Sequence, residues 1–146
     1  MEIQIKCQQQ IPGLGKQEIK QNLAKVLNDL GCHDAELSIL ITDDAGIAEL
    51  NQHYLGTKGP TNVLAFPMGG GSETDYHSSM LGDVVISAQT AQLESEEVNE
   101  PVSSTVMRLL VHGLLHLLGF DHTRSIKDAR RMEKEEARLM LLIKED

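Results

Sequence analysis

One segment of the chain, residues 101–118, is the most apolar predicted helix and therefore limits how the other elements can be arranged. At helical spacing its apolar residues leave almost no polar face; they are Val102, Val106, Leu109, Leu110, Leu114, Leu117 and Leu118. A helix of this kind is buried in the protein interior. The sequence thus predicts a central helix with Pro101 in its first turn and other elements packed around it.

The flanking segments supply the elements that surround this helix. Alternation over 2–8 and short apolar runs at 36–42, 62–66 and 81–87 predict four strands. Further helices are predicted over about 15–30, from Asp43 or Asp44 to about His53, over about 87–96, and from Ser125 to about Ile143. The buried stripe of the last helix is predicted to contain Ile126, Ala129, Met132, Leu139 and Ile143. Loops are predicted over 54–61 and 68–79.

The order of these elements, β-α-β-α-β-β-α-α-α, indicates the fold class. It predicts an α+β protein with a mixed four-stranded sheet and about five helices. A chain of 146 residues fits one domain, so we expect residues 1–146 to form a single unit.

Three histidines follow a spacing that is typical of metal ligands. His112 and His116 are four residues apart, which places both on one face of the central helix, with Cβ atoms about 5–6 Å apart. Two imidazoles at this separation can bind one ion with Zn–N bonds of about 2.0–2.1 Å. Gly119 suits the left-handed conformation that ends a helix, and the turn can bring His122 toward the same ion. We predict that His112, His116 and His122 bind one zinc ion at the C-terminal end of the buried helix.

The pattern H-x3-H-x2-G-x2-H has the ligand spacing of metzincin proteases, but one position differs. Gly113 stands where those proteases have the glutamate that acts as general base. Three neutral ligands with a vacant position are typical of catalytic zinc, whereas structural zinc usually has four ligands, thiolates among them. Such an ion lowers the pKa of its bound water to about 7 and polarises a phosphoryl or carbonyl oxygen. The sequence predicts an open metal site without the protease base.

Two acidic residues are further candidates for the site. Asp121, next to His122, either orients a ligand histidine or acts on the water, or it bonds the backbone of the turn. We predict catalytic roles for Asp121 and His116. Asp83 interrupts an apolar strand, which is costly unless the carboxylate is paired or lies at the sheet edge. Asp83 is therefore a weaker candidate than Asp121 for a place near the site.

The other histidines and the basic residues carry weaker signals. His33, His53 and His77 are isolated and predicted to lie on the surface. The charged run over 128–138 is typical of a solvated helix face. Four basic residues that follow the histidines are nevertheless candidates for a phosphate-contacting patch, namely Arg124, Lys127, Arg130 and Arg131.

Composition restricts the partners and the compartment. The net charge of −9 opposes broad, non-specific binding of nucleic acid, although it says nothing about a local basic patch. Four aromatic residues do not make an extended base-stacking platform; they are Tyr54, Phe66, Tyr76 and Phe120. Cys7 and Cys32 are far apart and are expected to be reduced thiols. The start of the chain has no signal-like pattern and no run approaches ~18 apolar residues, so we expect a cytoplasmic protein without a membrane span.

The chain resembles the YbeY family of bacterial rRNA maturation factors. The resemblance rests on HGLLHLLGFDH at 112–122, PTNVLAFP at 60–67 and LGDVVIS at 81–87, and it extends over nearly the whole sequence. It implies an α+β fold, zinc at the three histidines, and a metal-dependent endoribonuclease specific for single-stranded RNA. It further implies action in maturation of the 16S rRNA 3′ end and in ribosome quality control, with rRNA and the ribosome or ribosomal proteins as partners.

Two positions depart from the pattern of that family. Leu55, after Tyr54, stands where an arginine is usual, and Ala65 stands where a serine is usual. Lys58 lies nearby in sequence and could supply the positive charge.

Three functions therefore stay open. In a zinc endoribonuclease, either activated water or the ribose 2′-hydroxyl attacks the phosphodiester, and the sequence does not separate these routes. A metallopeptidase is suggested by the ligand spacing and opposed by Gly113. A non-enzymatic ribosome-assembly factor with a metal site is suggested by Leu55.

Overall fold

The computed structural model describes residues 1–68 and 80–144. The elements follow the predicted order, with bounds within about two residues of the prediction, as is usual for element ends. They are β1 (Glu2–Cys7), α1 (Lys16–Asp29), β2 (Glu36–Thr42), α2 (Asp44–Leu55), β3 (Val63–Pro67), β4 (Met80–Ser87), α3 (Ala88–Val98), α4 (Val102–Leu117) and α5 (Ile126–Lys144). Nearly all of the loop predicted at 68–79, including Tyr76 and His77, lies outside the described residues.

The four described strands form one mixed sheet in the order β1-β2-β4-β3. β1, β2 and β4 are parallel, and Ile39 of β2 lies between Ile5 of β1 and Val84 of β4. β3 runs antiparallel to β4, with Ala65 opposite Val84. The α+β fold with a mixed four-stranded sheet and five helices, predicted from the sequence, is confirmed for the described part of the chain.

Both faces of the sheet are packed, but unequally. The larger core combines strand residues such as Ile39 and Val84 with the apolar faces of α1, α4 and α5. The smaller core, on the other face, joins Leu64 and Val85 to Ile47 of α2. Successive strand residues point to opposite faces, which is why Val84 and Val85 belong to different cores.

Helix α4 is the buried central helix that the sequence predicts. Ten of its residues are buried, in a nearly continuous run from Val102 to Leu115. At Gly113 an added Cβ would lie 2.7 Å from Val84 Cγ1 and 3.3 Å from Val63 Cγ2. The missing side chain therefore allows α4 to approach β3 and β4 closely. No helix in the described ranges is long and apolar enough to cross a membrane.

The loop predicted over 54–61 starts at residue 56 in the structure, two residues later than predicted. Helix α2 includes Tyr54 and Leu55 and ends at Gly56, whose φ of 68° is left-handed. Glycine adopts this conformation without the steric cost that other residues carry, so it determines where α2 stops.

The prediction that Ile126 belongs to the buried stripe of α5 is wrong. Ile126 is 74% exposed, whereas Met132 and Leu139 are buried. Ile126 is the first residue of the helix, and the core covers α5 only further along. The predicted cap is present, since Ser125 Oγ accepts a hydrogen bond of 3.0 Å from the backbone N–H of Asp128.

A Gly113→Ala substitution tests the close packing of α4. Alanine is normally favoured over glycine inside a helix by about 1 kcal/mol. Overlap with the stiff, buried Val84 should outweigh that gain, because overpacking costs about 1–3 kcal/mol. We expect a lower free energy of unfolding in urea, and a smaller loss when the same substitution is made in a Val84→Ala background. An alanine variant as stable as the parent would contradict this packing.

Candidate metal centre

Three imidazole rings converge at the C-terminal end of α4. The Nε2 atoms of His112 and His116 are 3.1 Å apart. The ring centroid of His122 lies 5.3 Å from that of His112 and 5.1 Å from that of His116. One ligand nitrogen from each ring falls within a group whose members are all within 4.8 Å of one another. Two nitrogens on a tetrahedral zinc ion lie about 3.3 Å apart, so the spacing between His112 and His116 fits a shared ion.

The chain turn after α4 delivers the third ring. Gly119, with a φ of 99°, is left-handed, as the sequence predicts. Its N–H donates to His116 O at 3.0 Å, and the N–H of Phe120 donates to Leu115 O at 3.0 Å. This pair of bonds is the Schellman arrangement, which ends a helix and reverses the chain. Because the turn is closed by backbone bonds, His122 is held beside the helix that carries the other two rings.

A carboxylate from α5 orients His112, and the sequence reasoning missed it. His112 Nδ1 is hydrogen-bonded to Glu136 Oε1. A proton held on Nδ1 by this carboxylate leaves the Nε2 lone pair available for a metal ion. Glu136 lies in the charged run interpreted as a solvated face, yet its side chain is only 18% exposed. Its helical register with the buried Met132 and Leu139 was the signal that could have identified it.

The state of His116 also suits a ligand. Burial lowers the pKa of His116, and the neighbouring His112 and His122 lower it further. A depressed pKa keeps the imidazole neutral near pH 7, and the neutral ring is the form that binds metal. The donor set of three imidazole nitrogens, with no thiolate among them, fits a divalent ion such as zinc.

The rings lie in a cleft of 540 Å³ between α4 and the edge strand β3. Its lining includes His112, Gly113, His116 and His122 on one side, and on the other Thr61, Asn62, Val63, Leu64, Ala65 and Pro67. A side chain at 113 would overlap Val84 and Val63. The position that carries the general base in the proteases therefore has no room for one here.

Asp121 lies close to the histidines, but its carboxylate is hydrogen-bonded within the turn. Its Oδ1 accepts hydrogen bonds from Thr123 N at 2.8 Å and Thr123 Oγ1 at 2.6 Å. These bonds lower the pKa of Asp121, with a smaller contribution from Arg124. The carboxylate is thus ionised and fixed as a turn residue, and its role in catalysis stays a prediction.

Asp83 is not brought to the site. It is exposed on β4 and lies opposite Phe66 of β3. Its neighbour Val84 faces α4, so Asp83 points to the opposite face of the sheet. The remaining described histidines, His33 and His53, are exposed as predicted.

Two of the four predicted basic residues already have partners. The guanidinium carbon of Arg131 lies 5.3 Å from the ring centroid of Phe120. Arg124 Nε is 3.7 Å from Asp121 Oδ2 and 3.6 Å from Asp128 Oδ2. Lys127 and Arg130 are exposed. Neither of these two residues lines the cleft, whose described lining contains no lysine or arginine.

The fold and the rings define an α+β protein with an open three-histidine site. Comparison with known proteins makes this specific: the profile of the family described as Endoribonuclease YbeY matches residues 3–144. The chain belongs to the YbeY family, as the sequence motifs indicate.

Individual relatives match over almost their full length. The Endoribonuclease YbeY of Syntrophotalea carbinolica is 43% identical over 145 residues, 99% of this chain and 97% of the relative. That of Geobacter sulfurreducens is 42% identical over 144 residues, 98% of this chain and 96% of the relative. A solution structure of a Thermotoga maritima protein matches with a TM-score of 0.66 at 23% identity, over 97% of this chain and 88% of the other. The structural match supports the fold alone.

Metal analysis of the purified protein tests the histidine cluster directly. We expect about one divalent ion per chain, and little or none in His112→Ala or His122→Ala proteins, because two ligands hold an ion far less well than three. His33→Ala, which removes an exposed histidine, is the control and should keep the ion. A full complement of metal in the His112→Ala protein would contradict the assignment.

The contact of Glu136 with His112 predicts a graded effect on metal affinity. Partners that orient a ligand histidine contribute about 10–100-fold to affinity. We expect a loss of that size in a Glu136→Ala protein and a smaller loss in Glu136→Gln, which keeps an oxygen acceptor. Competition with a fluorescent chelator measures the affinity. Glu133→Ala, an exposed glutamate on the same helix, is the matched control, and an equal loss there would refute a specific role.

Proposed function

We propose that this protein is a metal-dependent endoribonuclease that cleaves single-stranded RNA, with zinc as the ion. The observation that carries the proposal is the convergence of His112, His116 and His122 at the wall of an open cleft. Family membership supports the choice of RNA, since relatives that match over nearly their whole length are named endoribonucleases. The absence of a thiolate in the cluster supports an open catalytic ion over a closed structural one.

Four residues of this chain would hold the ion or orient its ligands. His112, His116 and His122 would hold the ion through ring nitrogens, and Glu136 would keep the His112 ring in place. When bound, the ion supplies positive charge that polarises a phosphoryl oxygen and makes water more acidic. The same charge favours a phosphate in the cleft, which lacks a lysine or arginine among its described lining residues.

The opposite wall of the cleft can position the phosphate. Thr61 and Asn62 offer a hydroxyl and an amide at the entrance to β3. Asn62 is fixed in place, because its Nδ2 donates to Glu94 Oε1 at 2.9 Å and its carbonyl accepts from Ser87 N at 3.0 Å. Lys58 is exposed in the preceding loop and would supply the positive charge that the usual arginine gives where this chain has Leu55.

For Asp121 and His116, which the sequence predicts to be catalytic, we propose roles within the metal cluster itself. Asp121 is ionised and acts electrostatically on His116, a neighbour in the metal cluster. We propose that its negative charge steadies the histidine cluster around a cation. His116 is half-buried, whereas His122 is exposed, and the neutral state of His116 fits coordination better than proton transfer.

The cellular role follows from the family resemblance. We propose that the substrate is rRNA, that cleavage contributes to maturation of the 16S rRNA 3′ end and to ribosome quality control, and that the protein contacts the ribosome or ribosomal proteins in the cytoplasm. The net charge of −9 agrees with recognition of particular RNA sites rather than broad binding.

A non-enzymatic assembly factor is the second candidate. The observation that favours it is Leu55, which is 59% exposed and carries no charge where the family usually has an arginine. Ribosome association that survives replacement of all three histidines, together with an absence of RNA cleavage, would support this alternative. A metallopeptidase is disfavoured by the lack of space at Gly113.

RNA cleavage by the zinc-loaded protein is the decisive measurement. We expect cleavage of an unstructured single-stranded RNA, little cleavage of the same sequence in a duplex, and at least a 100-fold loss of rate in His116→Ala, because the ion is lost. His33→Ala is the control and should cleave normally. A 2′,3′-cyclic phosphate at the product end would indicate attack by the 2′-hydroxyl. Identical behaviour of zinc-loaded wild type and His116→Ala would exclude the nuclease proposal.

A further inference from the structure

Among the described strands, β3 lies at the edge of the sheet and forms one wall of the cleft. Asn62 and Ser87 are joined by a backbone hydrogen bond, and the antiparallel register then pairs Leu64 with Val85. In such a ladder alternate residues point their peptide groups outward, so those of Val63 and Ala65 face away from β4. Within the described ranges no backbone partner is found for them. The edge therefore presents polar backbone groups beside the histidines.

An exposed aromatic side chain lies on the other face of the same strand. Tyr54, in the last turn of α2, is 62% exposed. Its ring centroid is 5.3 Å from that of Phe66 and 4.6 Å from that of His53. Phe66 belongs to the α2 side of the sheet, whereas Ala65 and Pro67 line the cleft. Tyr54 therefore packs on the face of β3 opposite to the face that lines the cleft.

Two features hold Tyr54 in position. Phe66 contacts it from the sheet, and Gly56 fixes the end of the helix. The loop that follows is tied down by the buried Asn51, whose Nδ2 donates to Gly59 O at 3.1 Å. Lys58 of this loop is exposed. Lys58 follows Tyr54 by four residues in the chain. Proteins that bind single-stranded nucleic acid combine aromatic side chains, on which bases stack, with basic side chains that bind the phosphates.

We propose that Tyr54 is a base-stacking residue for the RNA strand bound in the cleft. The strand crosses the free edge of β3, and a base one or two nucleotides from the phosphate at the histidines stacks on Tyr54. The inference rests on the proposed function and deepens it, since it names the contact that selects an unpaired strand. A base held in a duplex is not available to stack on this ring.

Substitutions at Tyr54 separate stacking from packing. Stacking on an aromatic side chain typically contributes enough that alanine weakens binding roughly tenfold. We expect Tyr54→Ala to raise Kd and KM for a short unstructured RNA by about this factor, with kcat nearly unchanged. Tyr54→Phe keeps the ring and should bind normally, whereas Tyr54→Leu keeps apolar bulk without the ring and should behave like alanine. Leu93→Ala, an exposed apolar residue on α3, is the control and should change nothing.

A spectroscopic measurement reports contact independently of cleavage. The chain has two tyrosines and no tryptophan, so a Tyr76→Phe protein carries Tyr54 as its sole fluorophore of this kind. Rapid mixing with RNA should quench its emission before cleavage begins. In a series of RNAs with one abasic site each, a single position should weaken binding to this protein without weakening binding to Tyr54→Ala.

The outcomes distinguish the two proposals. If wild type cleaves RNA but Tyr54→Ala binds within twofold of it, the stacking contact is wrong and the nuclease stands. If RNA quenches the emission of the Tyr76→Phe protein but wild type does not cleave RNA, the nuclease is wrong and the stacking contact stands. A fall in melting temperature and kcat of Tyr54→Ala with no change in Kd would show that the ring only supports the fold, which overturns the proposal.

Discussion

The close contact of α4 with β3 and β4 is the interaction on which the rest of the structure depends. Gly113 has no Cβ, and Val84 and Val63 occupy the space that a side chain would need. The helix can therefore lie directly against the strand edge, which makes β3 the wall of the cleft that contains the histidines. The same contact leaves no place for the general base found one residue after the first ligand in the related protease motif. One packing constraint thus shapes the substrate side of the site and restricts its chemistry.

The metal centre also joins parts of the chain that are otherwise held mainly by apolar packing. His112 and His116 belong to α4, His122 to the turn after it, and Glu136 to α5. A bound ion would connect the end of α4 to that turn, while the carboxylate connects α4 to α5. Since any ligand that binds only the folded state stabilises it, a metal ion bound here would stabilise this region of the fold. The charged face of α5 is therefore part of the site's support and not merely a solvated surface.

The lines of support for the function carry different weight. The family profile and the relatives match nearly the whole chain, whereas the Thermotoga maritima structure supports the fold only. The converging rings give the proposed chemistry a location. In the proposed function, Leu55 stands in place of the usual arginine, and phosphate binding is assigned to the ion, Lys58 and the residues at the start of β3. The exposed ring of Tyr54 beside that strand gives the acidic protein a local means of holding RNA that its net charge does not provide.

The sequence by itself determined the order of the elements, the buried central helix and the three candidate ligands, because these depend on periodicity and on spacing between near neighbours in the chain. His112, His116, Gly119 and His122 could be interpreted together since one helix and one turn relate them. Glu136, by contrast, is 24 residues from His112 and was placed on a solvated face, while Ile126 was placed in the core. Asp83 and Asp121 are both acidic candidates in the sequence. The structure places Asp83 on the face of the sheet away from the histidines and Asp121 in the turn beside them. These features were decided by the tertiary structure, because the spacing of residues along one helix or strand does not specify which distant element packs against it.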